Sequence, residues 1–271
     1  MTHRTSHDTF DGSERELEQM TVDLHELHHD VGTPAMAAAT SAMIDAMGDP
    51  APRRASRRSF LIGTGAAVAG GAALAFAGAA PVKAGAAVRG VASFRQSAAF
   101  PPHGLKGDLA VAAVAASLEN LAVFAYDAAL SAAGAGKLGS VPPAVATFAT
   151  TVKGQHQEHA DAWNAVLRAA GKAKVTVTNP TLTPTVQSDF AKVTDIASLA
   201  KLALTLETIA AQTYQAETSQ LKSKAAIGLS SSIQPVEMQH IAILYYVLGM
   251  YPGAQTSSGT PLAFNPTSQA V

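Results

Sequence analysis

The chain has no cysteine among its 271 residues. Disulfides, iron–sulfur clusters, thiolate zinc sites and a cysteine nucleophile are therefore excluded. Charge is scarce as well, with Asp, Glu, Lys and Arg making up 14%. No basic run and no aromatic-plus-basic stripe occurs, so we expect no nucleic-acid partner. Hydrolase signatures are missing too. There is no G-x-S-x-G. The glycines of "GTGAAVAGG" at 63–71 are not followed by Lys-Ser/Thr, so they do not form a phosphate loop. Strand signals are weak beyond residue 85.

What the chain does have is apolar material, at 48% of residues. That suffices for one sizeable core with further segments attached. The net charge is −1, but residues 1–52 hold two arginines against ten acids, while 85–271 hold twelve Lys/Arg against ten Asp/Glu. Between them, residues 56–61 read "SRRSFL", followed by the uncharged "IGTGAAVAGGAALAFAGAA" and then "PVKAGAA". Ser56, Arg57, Arg58, Ser59, Phe60 and Leu61 with this mildly apolar run resemble a twin-arginine export signal. Small-residue sites at Ala77-Gly78-Ala79 and Val82-Lys83-Ala84 suit cleavage. About 20 apolar residues span a bilayer, so an uncleaved membrane tether is the alternative. The resemblance implies the twin-arginine translocation machinery as a partner. It also implies an extracytoplasmic location: periplasm, cell envelope or secreted. That route carries folded cargo, often with a cofactor inserted, which favours a metal-loaded protein.

The segment before the signal is a leader. "SERE" at 13–16 fits a capping box, with Ser13 as cap and Glu16 reaching back. Leu17, Met20, Leu24 and Leu27 then form a helical stripe. A second helix is expected after Pro34, with Met36, Met43 and Met47 on one side. His25, His28 and His29 lie close together, and a solvated helix face explains them better than a metal site does. The leader would stay on the cytoplasmic side, as a partner-binding element or a weakly ordered extension.

The exported part reads as all-α. Helix one is expected over about 106–134, closed by "GAG". Helix two runs from Pro142–Pro143, where a missing N–H is harmless, to about Gly171. Residues 172–185 form a long connection, and helix three runs from Asp195 as N-cap to about Ser223. Helix four spans roughly 225–249. The organisation expected is a leader at 1–52, a signal at 53–84, a linker at 85–105, a bundle at 106–252 and an irregular tail at 253–271. An internal repeat links the halves. "LENLAVFAYDA" at 118–128 matches "LETIAAQTYQA" at 206–216 in Leu, Glu, Ala, Tyr and the last Ala. His159, Val166 and Leu167 likewise fall on His240, Val247 and Leu248. Two hairpins of common plan, related by a pseudo-twofold, follow from this.

Polar residues stand on the apolar faces. Glu119 lies among Val114, Leu118, Leu121, Ala122 and Tyr126. Glu207 lies among Ala203, Leu204, Leu206, Ala210 and Tyr214. Neither has a Lys or Arg within one turn, and an isolated buried charge costs several kcal/mol. His156 and His159 share a face, as do Glu237 and His240, because positions three apart align. Tyr126 and Tyr214, two turns past their glutamates, could donate hydrogen bonds, act as redox neighbours or simply pack. Trp163 reads as packing. Pro235 should kink helix four or mark its first turn.

Over about 140 residues, 110–250, this pattern resembles the ferritin-like superfamily of di-iron-carboxylate type. The resemblance implies an up-down four-helix bundle with a long crossover between helices two and three. It implies metal ligands at Glu119, His159, Glu207, Glu237 and His240, with His156 in the sixth position and Tyr126 and Tyr214 behind them. The departure is His156, where such bundles carry a bridging Glu. Glu158 cannot replace it, being turned about 100° around the helix from His159. Three outcomes stand open. The site could hold two iron or manganese ions more loosely, hold one ion with zinc competing, or have lost metal. Function follows the same fork. One branch is ferroxidase or peroxide- and oxygen-reducing chemistry or metal handling. The other is a non-catalytic structural or stress-protection role. Homo-oligomerisation is open.

Overall fold

The computed structural model describes residues 13–48 and 104–250. The twin-arginine segment, most of the linker and the tail lie outside the described residues. Among the described residues every regular element is a helix. In the leader these are α1 (Glu14–Leu27), a π-helical turn (His28–Gly32) and α2 (Thr33–Gly48). The bundle comprises α3 (Asp108–Gly134), α4 (Pro143–Ala169), α6 (Ile196–Thr218) and α7 (Lys224–Val247). A short helix, α5 (Thr183–Phe190), lies in the connection between α4 and α6.

Local chemistry sets the ends. α4 starts on Pro143 as expected. It closes on Gly171, whose φ of +68° suits a residue without Cβ. There Gly171 N–H bonds Arg168 O and Lys172 N–H bonds Leu167 O. Asp195 caps α6 in a reciprocal box with Ser198. Asp108 accepts from the backbone N–H groups of Lys222 and Ser223, both at 2.8 Å, which ties the start of α3 to that of α7. Pro235 does not end α7, which runs on for three further turns.

α3 pairs with α4 and α6 with α7, giving the two hairpins. The connection between α4 and α6 is pinned to the bundle by buried asparagines. Asn164 brackets Val175, accepting from its N–H at 2.7 Å and donating to its O at 3.0 Å. Asn179 reaches Ser117 at 3.2 Å. Leu182 and Val186 then pack on Leu118, Leu121 and Ile209. The 172–185 connection ends inside α5.

The apolar core falls into clusters on either side of a polar layer. One holds Trp163, Leu167, Tyr214, Leu229 and Ile233. Another holds Tyr126, Phe148, Val152, Leu244 and Val247. Glu119, His156, His159, Glu207, Glu237 and His240 lie between them along their helices.

The leader is a packed part of this structure. Leu17 and Leu24 of α1 enter the Phe148 cluster, and Met36 and Met43 of α2 enter the Trp163 cluster. Burying each such side chain contributes about 1.5–3 kcal/mol. The weakly ordered extension is therefore corrected for residues 13–48. Leu27 and Met47, expected on the same stripes, are exposed. The capping box at Ser13 does not form either. Tyr246 Oη takes the Ser13 N–H at 2.8 Å and donates to Glu16, so a tertiary contact replaces the local one.

Candidate metal centre

Each bundle helix places its share of the six polar residues at one depth. α3 brings Glu119, α4 brings His156 and His159, α6 brings Glu207, and α7 brings Glu237 and His240. None is more than 1% exposed. The i, i+3 spacing turns both residues of α4, and both of α7, inward. All six sequence-derived site residues therefore meet in one place.

His156 stands between the two repeat glutamates. Its Nδ1 donates to Glu119 Oε2 at 2.7 Å and its Nε2 to Glu207 Oε1 at 3.2 Å. His240 Nδ1 donates to Glu207 Oε2 at 3.2 Å, and its Nε2 to Gln155 Oε1 at 2.7 Å. Glu237 lies at the middle. Its Oε1 is 3.1 Å from His159 Nδ1 and its Oε2 is 3.7 Å from His240 Nδ1. The tyrosines cross between hairpins. Tyr126 donates to Glu207 at 2.6 Å, and Tyr214 donates to Glu119. Trp163 donates to Tyr214 at 3.0 Å, so it does more than pack. The reciprocal tyrosine–glutamate bonds are the pseudo-twofold of the repeat expressed as contacts.

Electrostatics follow from this crowding. Burial opposes charge on His156, but Glu237, Glu207 and Glu119 outweigh it and hold the ring well above its usual range. Burial likewise opposes charge on His159, yet Glu119 and Glu237 raise it to about 9. His240 is raised against burial by Glu207. Burial pushes Glu119 up, but His159 and the bond from His156 settle it at about 2. Glu207 is held well below the usual carboxylate range by His156 and His240, against burial. Burial, then the adjacent carboxylates, push both tyrosines well above 10, so they stay protonated donors. Three imidazoles, each held above its usual range, thus sit among three carboxyl groups.

The set is not fully satisfied. Both nitrogens of His159 and both oxygens of Glu237 are buried without an aligned hydrogen bond, as is Gln155 Nε2. Buried polar atoms left without an aligned hydrogen bond call for a further occupant. Two overlapping groups could hold one. Glu119, His156, His159 and Glu237 offer ligand atoms within 4.8 Å of one another, and so do His156, Glu207, Glu237 and His240. The shared members are His156 and Glu237, the positions related by the repeat. Imidazole and carboxylate donors suit divalent transition metals, so the residues present fit such a group.

A family profile described as a ferritin-like domain matches residues 107–250. The chain belongs to the ferritin-like family. No curated protein and no solved structure matches it. The matched span begins after the leader, so the leader's contribution is additional to the ferritin-like domain.

That contribution was not foreseen. His25 and His29 are exposed, but His28 is buried at 1%. Its Nε2 lies 3.0 Å from Glu158 Oε2, and Thr33 donates to the same oxygen at 3.2 Å. Its ring centroid is 5.4 Å from that of His159. The solvated face assumed for all three histidines is corrected for His28. Burial, then His159, lower it to about 4 despite Glu158, so it is a neutral ring donating Nε2–H. Glu158 does turn away from the centre, as expected, but toward the leader. Glu217 was also missed. Burial and then Glu119 raise it well above its usual range in the core. Only the fold brings these residues together. Their sequence spacing carries no signal.

Proposed function

We propose that this is an exported ferritin-like protein that binds and handles redox metal at a modified dinuclear centre. The observation that carries the reading is the pair of overlapping four-residue donor sets, with His159 and Glu237 buried and without an aligned hydrogen bond. Iron or manganese suits the family and the oxygen donors, and zinc competes through the added nitrogen. When bound, such ions supply one-electron chemistry toward oxygen, peroxide or ferrous iron.

The chain's own residues prepare the centre. Glu119 and Glu207 would hold metal at the two outer positions, with His159 and His240 beside them. Tyr126 and Tyr214 fix the carboxylates by donating to them, as such supporting bonds do. His156 must release a proton before it can ligate, so metal binding there is opposed by its ion pairs. The apolar clusters above and below exclude water.

Export is the second element of the proposal. It rests on Arg57, Arg58, Phe60, Leu61 and the apolar run. Translocation would proceed through the twin-arginine machinery to an extracytoplasmic site, with a membrane tether if the signal stays uncleaved. The leader's packing against the bundle then describes the chain before translocation. Arg57→Lys with Arg58→Lys should leave the protein inside the cell. Fractionation that finds it still exported would refute this element.

One observation favours the other reading, a structural or stress-protection role without catalysis. His156 joins Glu119 to Glu207 by hydrogen bonds, so this half of the centre closes without metal. Metal analysis with a coordination spectrum, on wild type and His156→Glu, separates the two. The metal reading expects bound metal in the wild type, either two ions held weakly or one, and two ions held tightly in the variant. Absence of stoichiometric metal from both would sink it.

A further inference from the structure

We infer that, in the folded chain before translocation, the cleft between the leader and α7 is the path by which a divalent cation reaches the buried centre, and that His28 is its gate. The inference rests on the metal-binding reading above. The cleft has a volume of about 390 Å³. Its leader wall is the π-helical turn, including His28, Val31 and Gly32. Its bundle wall is α7, including Ser231, Val236 and Gln239. Val236 and Gln239 flank Glu237 and His240 in the chain. His28 lines the cleft on one side and lays its ring against His159 on the other.

The unpaired buried atoms are concentrated here. His28 Nδ1 and Gln239 Oε1 belong to the cleft walls, and the His159 nitrogens and Glu237 oxygens belong to the centre behind them. A cation shedding water needs successive acceptors, and His28 Nδ1, Gln239 Oε1 and the Glu237 oxygens supply them. By contrast, the roughly 60 Å³ cavity beside Phe148, Phe190 and Leu199 offers no polar side chain except Tyr126.

The gate has a latch. Glu158 Oε2 holds His28 and Thr33 together, and the Glu158 side chain is 40% exposed, so solvent or an arriving cation can compete for it. The turn is suited to the task. A Cβ on residue 32 would stand 3.1 Å from His28 Nδ1, so glycine there lets the ring lie flat on its own turn. π-turns recur at functional sites for this reason of altered side-chain placement.

The test uses the full chain and cobalt(II), whose visible spectrum reports uptake and loss to a chelator. His28→Ala should speed both by about tenfold, equivalent to about 1.4 kcal/mol of barrier, with the final amount bound unchanged. Ser231→Phe, on the exposed rim, should slow both without touching the centre or the fold. Unchanged rates in both variants would overturn the gate while leaving the metal reading intact. A reduced amount bound in His28→Ala would overturn it too, by making His28 a ligand. A wild type that takes up no cobalt at all would end the metal reading, and this inference with it.

Discussion

The two sides of the buried centre are built from the same residue types yet are finished differently. On one side, Glu119, His156 and Glu207 are closed by short hydrogen bonds and by two crossing tyrosines. On the other, His159 and Glu237 sit 3.1 Å apart with none of their polar atoms in an aligned bond. A single difference underlies this. Where α7 carries a glutamate, α4 carries a histidine that can donate from both nitrogens. The closed side gains stability without metal, and the open side keeps the capacity to bind it. It is also the open side that the leader covers.

The comparison breaks most severely at Glu237. Glu237→Ala should leave His156 and His159 short of a counter-charge. Losing one partner of a buried ion pair costs about 3–5 kcal/mol. Urea unfolding of the metal-free protein at neutral pH should show that loss, and metal binding should vanish with it. A loss below 1 kcal/mol would mean that Glu237 does not hold the open side.

Acid and base should separate the contributions. Glu119 sits at about 2 in the fold, so its stabilisation is complete above about 4.5 and fades as pH falls toward 2. His159 sits at about 9, so its stabilisation is complete below about 6.5 and fades as pH rises through 9. His28, lowered to about 4, adds a loss as pH falls below about 6.5, so metal-free protein should be most stable near pH 6.5, read as the urea midpoint across pH. A midpoint that climbs steadily from pH 6.5 to 9 contradicts this.

The tyrosines test the closed side alone. A hydrogen bond to a charged group is worth about 1.5–3 kcal/mol, so Tyr126→Phe should cost that much. Tyr214→Phe should cost more, because it also strands Trp163 Nε1. Equal losses would mean that the Trp163 bond contributes nothing. Smallest of all is the exposed pair of Lys153 on α4 and Asp127 on α3. Lys153→Ala should change stability by about 0.2–1 kcal/mol, which calibrates the buried effects against a surface one.

Much of the centre was legible because it is written locally. Glu119 and Glu207 stand out as acids in apolar stripes, and i, i+3 spacing already pairs His156 with His159 and Glu237 with His240. Asp195 declares its cap by residue type. Other features were illegible for an equally physical reason. Ser13 and Glu16 have the right spacing for a box, yet Tyr246 outcompetes it. Nothing near His28 distinguishes it from the exposed His25 and His29.

The sequence alone determined the helical class, the two-hairpin plan and the depth of the six polar residues, because periodicity and composition act within a few turns. Tertiary structure decided how those residues are satisfied. It placed His28 on Glu158 across 130 positions and Ser13 on Tyr246 across 233. Such contacts depend on which surfaces dock, and docking is set by the whole core rather than by any local pattern.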